Sequence, residues 1–113
     1  MIITTKEGRN MYDTVIIGAG PAGMTAALYA ARSNLKVALL EAGIPGGQMN
    51  NTADVENYPG YALISGPELA EKMFEPLESL GVEHLFGRVE KIEDKGDFKT
   101  VITEDEELDT KTV

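Results

Sequence analysis

Hydrophobic and polar positions change period several times along the chain, and each change marks an element. Tyr12 to Ile17 is a short, β-branched apolar run, the signature of a strand buried on both faces. Pro21 to Ser33 is rich in alanine and predicts a helix, broken at Arg32-Ser33-Asn34. Lys36 to Leu40 is a second apolar run and a second strand. Strand, helix and strand in about 30 residues make a βαβ unit, which requires a parallel sheet. Leu69, Met73, Leu77 and Leu80 then recur at helical spacing, flanked by Ala70 and Phe74. Ser65 is placed to cap that helix, with Pro67 in its first turn and Glu68 beside the positive end of its dipole. Pro76 falls inside the stripe and is expected to kink or loosen it, and Gly81 to end it. Met73 and Phe74 are assigned to the core face.

Val82 to Phe86 predicts a third strand. Beyond it, Arg88 to Asp94, Phe98 to Thr103 and Leu108 to Asp109 alternate apolar and polar residues. Lys95-Gly96-Asp97 and Glu104 to Glu107 separate them as turns, so this part is expected to be a small antiparallel meander. Thr110 to Val113 is expected to begin a further strand. Residues 1–10 are polar without a clear period and are taken as a tail. His84 is expected to be an ordinary strand residue, because the pattern sets no second catalytic group beside it. Ala42 to Ser65 fits none of these periods. It carries Gly43, Pro45, Gly46, Gly47, Pro59 and Gly60 among Gln48, Asn50, Asn51, Thr52 and Asn57. So long a loop inside a small domain is usually functional.

Composition narrows the chemistry. The chain has 113 residues, 42% of them hydrophobic, enough for one small domain with a modest core. Its formal net charge of −9 argues against nucleic acid or an anionic membrane surface as a partner. It has no cysteine and one histidine, so no disulfide, redox dithiol or His/Cys metal cluster is expected. No metal site and no catalytic residue are assigned. No apolar run approaches the ~20 residues that cross a bilayer, and no signal peptide is visible. The expected setting is cytoplasmic.

The informative motif lies between the first strand and the first helix: Gly18-Ala19-Gly20-Pro21-Ala22-Gly23. Gly18 would allow the tight turn, Gly20 a close approach of the backbone to a diphosphate, and Gly23, with Ala27, close packing of the helix on the sheet. The helix N-terminus would add unpaired N–H groups and the positive dipole end. Pro21 loses nothing there, its missing N–H having no intrahelical partner in any case. Glu41 stands at the end of the second strand, ~20 residues on, where a ribose-binding acid belongs. In the long loop, Gly46-Gly47 would let the backbone pass close to a flat ligand. Gln48 and Asn57 each offer a donor and an acceptor to a heterocycle.

The loop makes the pattern specific. Pro45-Gly46-Gly47-Gln48-Met49, Asn51-Thr52 and Val55-Glu56-Asn57-Tyr58-Pro59-Gly60, together with the glycine fingerprint and Gly66-Pro67, resemble the N-terminal flavin-binding part of the low-molecular-weight thioredoxin reductases. The resemblance runs from about Tyr12 to Val113. It implies an α/β fold, a Rossmann-like parallel sheet that binds FAD, with the small meander attached. Residues 11–113 would be the N-terminal part of that domain, incomplete and truncated before the NADPH domain. It implies that Gly18, Ala19, Gly20, Pro21, Ala22 and Gly23 hold the diphosphate and Glu41 the adenosine ribose. Gly46, Gly47, Gln48 and Asn57 would follow the ribityl chain and isoalloxazine, and the backbone of Val89 would meet the adenine. In the parent enzyme electrons would pass from NADPH to FAD to a dithiol and on to a thioredoxin-like protein. This stretch holds one nucleotide fingerprint and no cysteine pair, so by itself it is not expected to turn over. A related flavoprotein is the first alternative, either the flavin subunit of an alkyl hydroperoxide reductase or a ferredoxin–NADP reductase of similar build. A non-catalytic dinucleotide-binding module is the second. Self-association through the open sheet edge is allowed by the pattern.

Overall fold

A computed structural model describes residues 11–113; the predicted tail, residues 1–10, lies outside the described residues. The elements follow in the order β1 (Met11–Ile17), α1 (Pro21–Arg32), β2 (Val37–Glu41), a 3-10 turn (Gly47–Asn51), α2 (Gly66–Ser79), β3 (Glu83–Phe86), β4 (Val89–Asp94), β5 (Lys99–Thr103) and β6 (Glu107–Thr112). The six strands of the described residues join one sheet in the order β3-β2-β1-β6-β5-β4. The first four in that order run parallel, and β6-β5-β4 run antiparallel. The expected α/β fold is present, with the meander as an extension of the parallel layer.

One difference from the sequence pattern matters. Thr110 to Thr112 does not open a new strand. It continues β6, which pairs with β5 on one side (Thr100 opposite Asp109) and with β1 on the other (Tyr12 opposite Thr110). The third strand of the meander is therefore itself a strand of the parallel layer. α2 runs past Pro76 to Ser79, consistent with the expected end at Gly81. The proline removes one main-chain donor, but only the last turn follows it. The Pro76 carbonyl still accepts from Leu80 N at 3.1 Å. Gly81, at φ +81°, then turns the chain out of the helix. The Ser65 hydroxyl accepts from Glu68 N at 3.2 Å and caps the other end as expected.

The core has two parts, one on each face of the sheet. Val37 and Leu39 of β2 pack under α1 and α2 with Met24, Ala27, Ala31 and Leu77. Ala38 and Leu40 point the other way, onto Tyr12, Val15, Val101 and Leu108. The four apolar residues of β2 are thus buried on alternate faces, which is what a covered parallel strand requires. The second cluster shows that the sheet curls. β3 and β4 lie at opposite ends of the strand order, yet only Gly87 and Arg88 connect them. Two residues span at most roughly 10 Å, counting the bonds at either end. The meander must therefore fold back across the face opposite the helices. Tyr12, in that second cluster, donates from its hydroxyl to Glu83 Oε2 at 2.9 Å. Burial, and then the Glu83 carboxylate, push its phenol well above the usual tyrosine range.

Candidate functional site

The glycine turn joins the end of β1 to the start of α1. Gly18 has φ +101°, a region that residues with a Cβ rarely enter, and its N–H donates to Leu40 O at 2.7 Å. Gly20 is the N-cap of α1, in an extended conformation, and its carbonyl accepts the first helical bond from Met24 N at 2.9 Å. The two remaining glycine positions differ in kind. A Cβ on Gly23 would fall inside the Gly18 carbonyl, so this glycine is needed by the protein's own backbone. A Cβ on Gly20 would meet nothing within 4 Å, so open space lies over the turn. That open space, next to helix N-terminal amides without intrahelical acceptors, is a fit for a diphosphate.

The turn is braced from three directions. The Glu41 carboxylate accepts from Ala19 N at 2.7 Å and from Gly43 N at 2.8 Å. Gly46 N donates to the Ala19 carbonyl at 2.7 Å. Gly47 comes close to Gly20: a Cβ built on Gly47 would lie 3.6 Å from the Gly20 Cα. The loop after β2 is held in turn by α2. Gly66 N donates to Thr52 O at 2.9 Å, and a Cβ on Gly66 would collide with the Met49 carbonyl. A cleft of about 250 Å³ opens beside the turn between Gly18, Glu41, Ala42, Gly87, Arg88 and Val89. A neighbouring hollow of about 230 Å³ shares Ala42, Gly87 and Arg88 and extends to Phe86, Glu104 and Asp105. The two form a groove at the carboxyl ends of β1, β2 and β3, where parallel sheets bind ligands.

Gly18 to Gly23, Glu41, Gly46, Gly47 and Val89 are brought together. Ala19 is fully buried, with its N–H and carbonyl both used within the protein. Gln48 lies exposed on the 3-10 turn. Asn57 is exposed in a separate excursion, closed at its base by reciprocal bonds between Val55 and Ile64 at 2.7 and 3.0 Å. Among the described residues no hydrogen bond ties either side chain to the glycine turn. Ala42, Gly87 and Arg88 line the groove but were not singled out by the sequence pattern. Their signal was position: Gly87-Arg88 follows β3 directly, as Gly18 follows β1.

Comparison with known proteins decides the family. Residues 12–113 match the sequence profile described as pyridine nucleotide-disulphide oxidoreductase. The chain belongs to that family. Within the pyridine nucleotide-disulphide oxidoreductases it is similar to the thioredoxin reductases. The thioredoxin reductase of Bacillus subtilis (strain 168) is 55% identical over 91 residues, 80% of this chain and 29% of that protein. The crystal structure of Lactococcus lactis thioredoxin reductase superposes with a TM-score of 0.87 at 68% identity, over 88% of this chain and 33% of that one. The thioredoxin reductase structure from Streptococcus pyogenes MGAS5005 gives 0.87 at 69% identity, over 89% and 33%. The chain therefore spans about a third of the length of the relatives it matches. Among its described residues no helix is long and apolar enough to cross a membrane.

Proposed function

We propose that this chain forms the FAD cradle of a thioredoxin-reductase-like flavoprotein in the cytoplasm. The observation that carries the proposal is the open space over Gly20, flanked by a helix N-terminus and by a carboxylate at the end of β2. Gly18 to Gly23 would receive the diphosphate through backbone amides. Glu41 would accept from the adenosine ribose hydroxyls and would repel a 2′-phosphate, which favours FAD over NADP in this groove. Val89 would meet the adenine, with Gly87 and Arg88 beside it. Gly46, Gly47, Gln48 and Asn57 would serve the flavin side. When bound, FAD supplies the group that accepts and passes on hydride. The chain's own residues bind it, hold its adenosine end and wall its flavin end. For the full-length relative, the reaction would be transfer from NADPH to thioredoxin disulfide.

Mass spectrometry of the ligand released from purified protein, with a fluorescence titration of FAD, tests this reading. FAD should be recovered or should bind saturably, and Glu41→Ala should weaken it roughly 10- to 150-fold. Recovery of NAD alone, or an unchanged dissociation constant in the variant, would refute it.

A further inference from the structure

We infer that Glu41 is a positioning residue as well as a ligand group: it fastens the glycine turn to the loop after β2, so that engagement at the ribose end fixes the wall at the flavin end. The inference rests on the FAD reading above. Its basis is how the carboxylate's bonds are divided. Oε1 accepts from Ala19 N in the turn, and Oε2 accepts from Gly43 N in the loop, at 2.7 and 2.8 Å. Ala19 returns the connection through its carbonyl, which accepts from Gly46 N at 2.7 Å. Residue 41 also uses its main-chain carbonyl, which accepts from Gly87 N at 3.1 Å. One residue thus joins the turn, the loop and the β3–β4 link around the groove.

The chemistry of a carboxylate makes this arrangement compatible with a ligand. An ionised carboxylate has about four acceptor positions, two on each oxygen. Each Glu41 oxygen uses one on the main chain and keeps one. A ribose 2′,3′-diol offers two hydroxyl donors, one for each oxygen. Binding therefore adds bonds without breaking the brace, and it holds the carboxylate in the rotamer that the brace requires. Glutamine cannot do the same. It has one acceptor oxygen and one NH2 group, so in either orientation its nitrogen faces the N–H of Ala19 or of Gly43. One strut is lost although the side-chain shape is nearly unchanged. The loop that is released carries Gly46 and Gly47, and Gly47 stands against Gly20.

Residue-resolved amide hydrogen exchange tests the brace, first on ligand-free protein and then with ADP, which carries the ribose and diphosphate but no flavin. In E41Q the amides of Gly43, Gly46 and Gly47 should exchange about tenfold faster than in the wild type, while those of β5 stay unchanged. ADP should slow the three loop amides in the wild type and fail to do so in E41Q. If E41Q binds ADP more weakly but its loop exchanges as in the wild type, the positioning role is overturned and the ribose contact stands. If the loop is released but ADP and FAD bind with wild-type affinity, the brace stands and the ribose reading fails. Should E41Q not fold, the wild type alone is decisive: no slowing of the loop amides by ADP overturns the inference.

Discussion

The parallel half of the sheet and the meander are joined edge to edge but are built for different work. Around the glycine turn, contacts are made by main chain: Gly18 N to Leu40 O, Gly46 N to Ala19 O, Gly87 N to Glu41 O. Glu41 is the side chain that ties these together. The outer surface of the meander carries ion pairs instead, Lys91 and Lys95 on Glu93 at 3.1 and 3.0 Å and Lys99 on Asp94 at 3.6 Å. Backbone geometry is intolerant of an added Cβ and indifferent to charge. Surface ion pairs have the opposite sensitivities. The ligand-facing half should therefore fail by steric substitution, and the meander should absorb changes of charge.

The largest expected effect is Gly23→Ala. The added methyl would fall inside the Gly18 carbonyl, so the turn must be rebuilt. A loss of about 3 kcal/mol or more is expected in urea unfolding. A loss under about 1 kcal/mol would show that the turn can move. Gly20→Val, three residues away, should separate ligand from fold. The fold should survive, because a β-carbon at residue 20 meets open space, with a stability loss limited to that of a poorer N-cap, while FAD binding is lost. A variant as yellow as the parent would disprove the diphosphate assignment.

Next in size is a buried polar pair that crosses from β5 to β6. The Thr100 hydroxyl donates to Asp109 Oδ1 at 2.8 Å, with both residues at 2% exposure or less. Thr100→Val should cost about 1–3 kcal/mol, measured by chemical denaturation, because a desolvated acceptor loses a donor. The smallest effect is expected at Glu93, where Glu93→Gln should leave the melting temperature unchanged within error. A clear drop would mean that the ion pairs of the meander stabilise it as main-chain bonds do the parallel half.

Acid should act on both halves. The backbone N–H of Lys36, and then the Lys111 ammonium, hold the Asp13 carboxyl below its usual value. In the meander the Gly96 N–H, and then Lys99, do the same for Asp94. Each of these groups binds a proton more readily when unfolded. Their contribution is therefore complete above the unfolded carboxylate range and is lost as pH falls through the lower folded values. A melting temperature that held constant on acidification from about pH 5 to pH 2 would contradict this.

Much of this was legible in the residues. The glycine spacing, the capped start at Ser65 and the stop at Gly81 are local chemistry, and each falls where the sequence puts it. The sequence pattern divides β6 between Asp109 and Thr110, because two successive polar residues interrupt the alternation. Asp109 is buried by its bond to Thr100, nine positions away, and local patterning does not report that distance. In the long loop, the 3-10 turn and the Val55–Ile64 bridge are imposed by contact with α2 and across the loop. Periodicity carries no trace of either. Arg88 and Gly87 were overlooked because two residues between strands look like an ordinary link until the sheet is seen to curl.

The pairing of β1 with β6 has a consequence for how the chain is made. Thr112 Oγ1 donates to Asp13 O across 99 positions of sequence. On a ribosome adding roughly 5–20 residues per second, β1 emerges several seconds before the partner for that side exists. β2 and α1 can dock meanwhile, since they are near in sequence. The other edge of β1 stays open through that interval, with its N–H and C=O groups available to any extended peptide nearby. The yield of this fold should therefore depend on synthesis rate and chaperone supply.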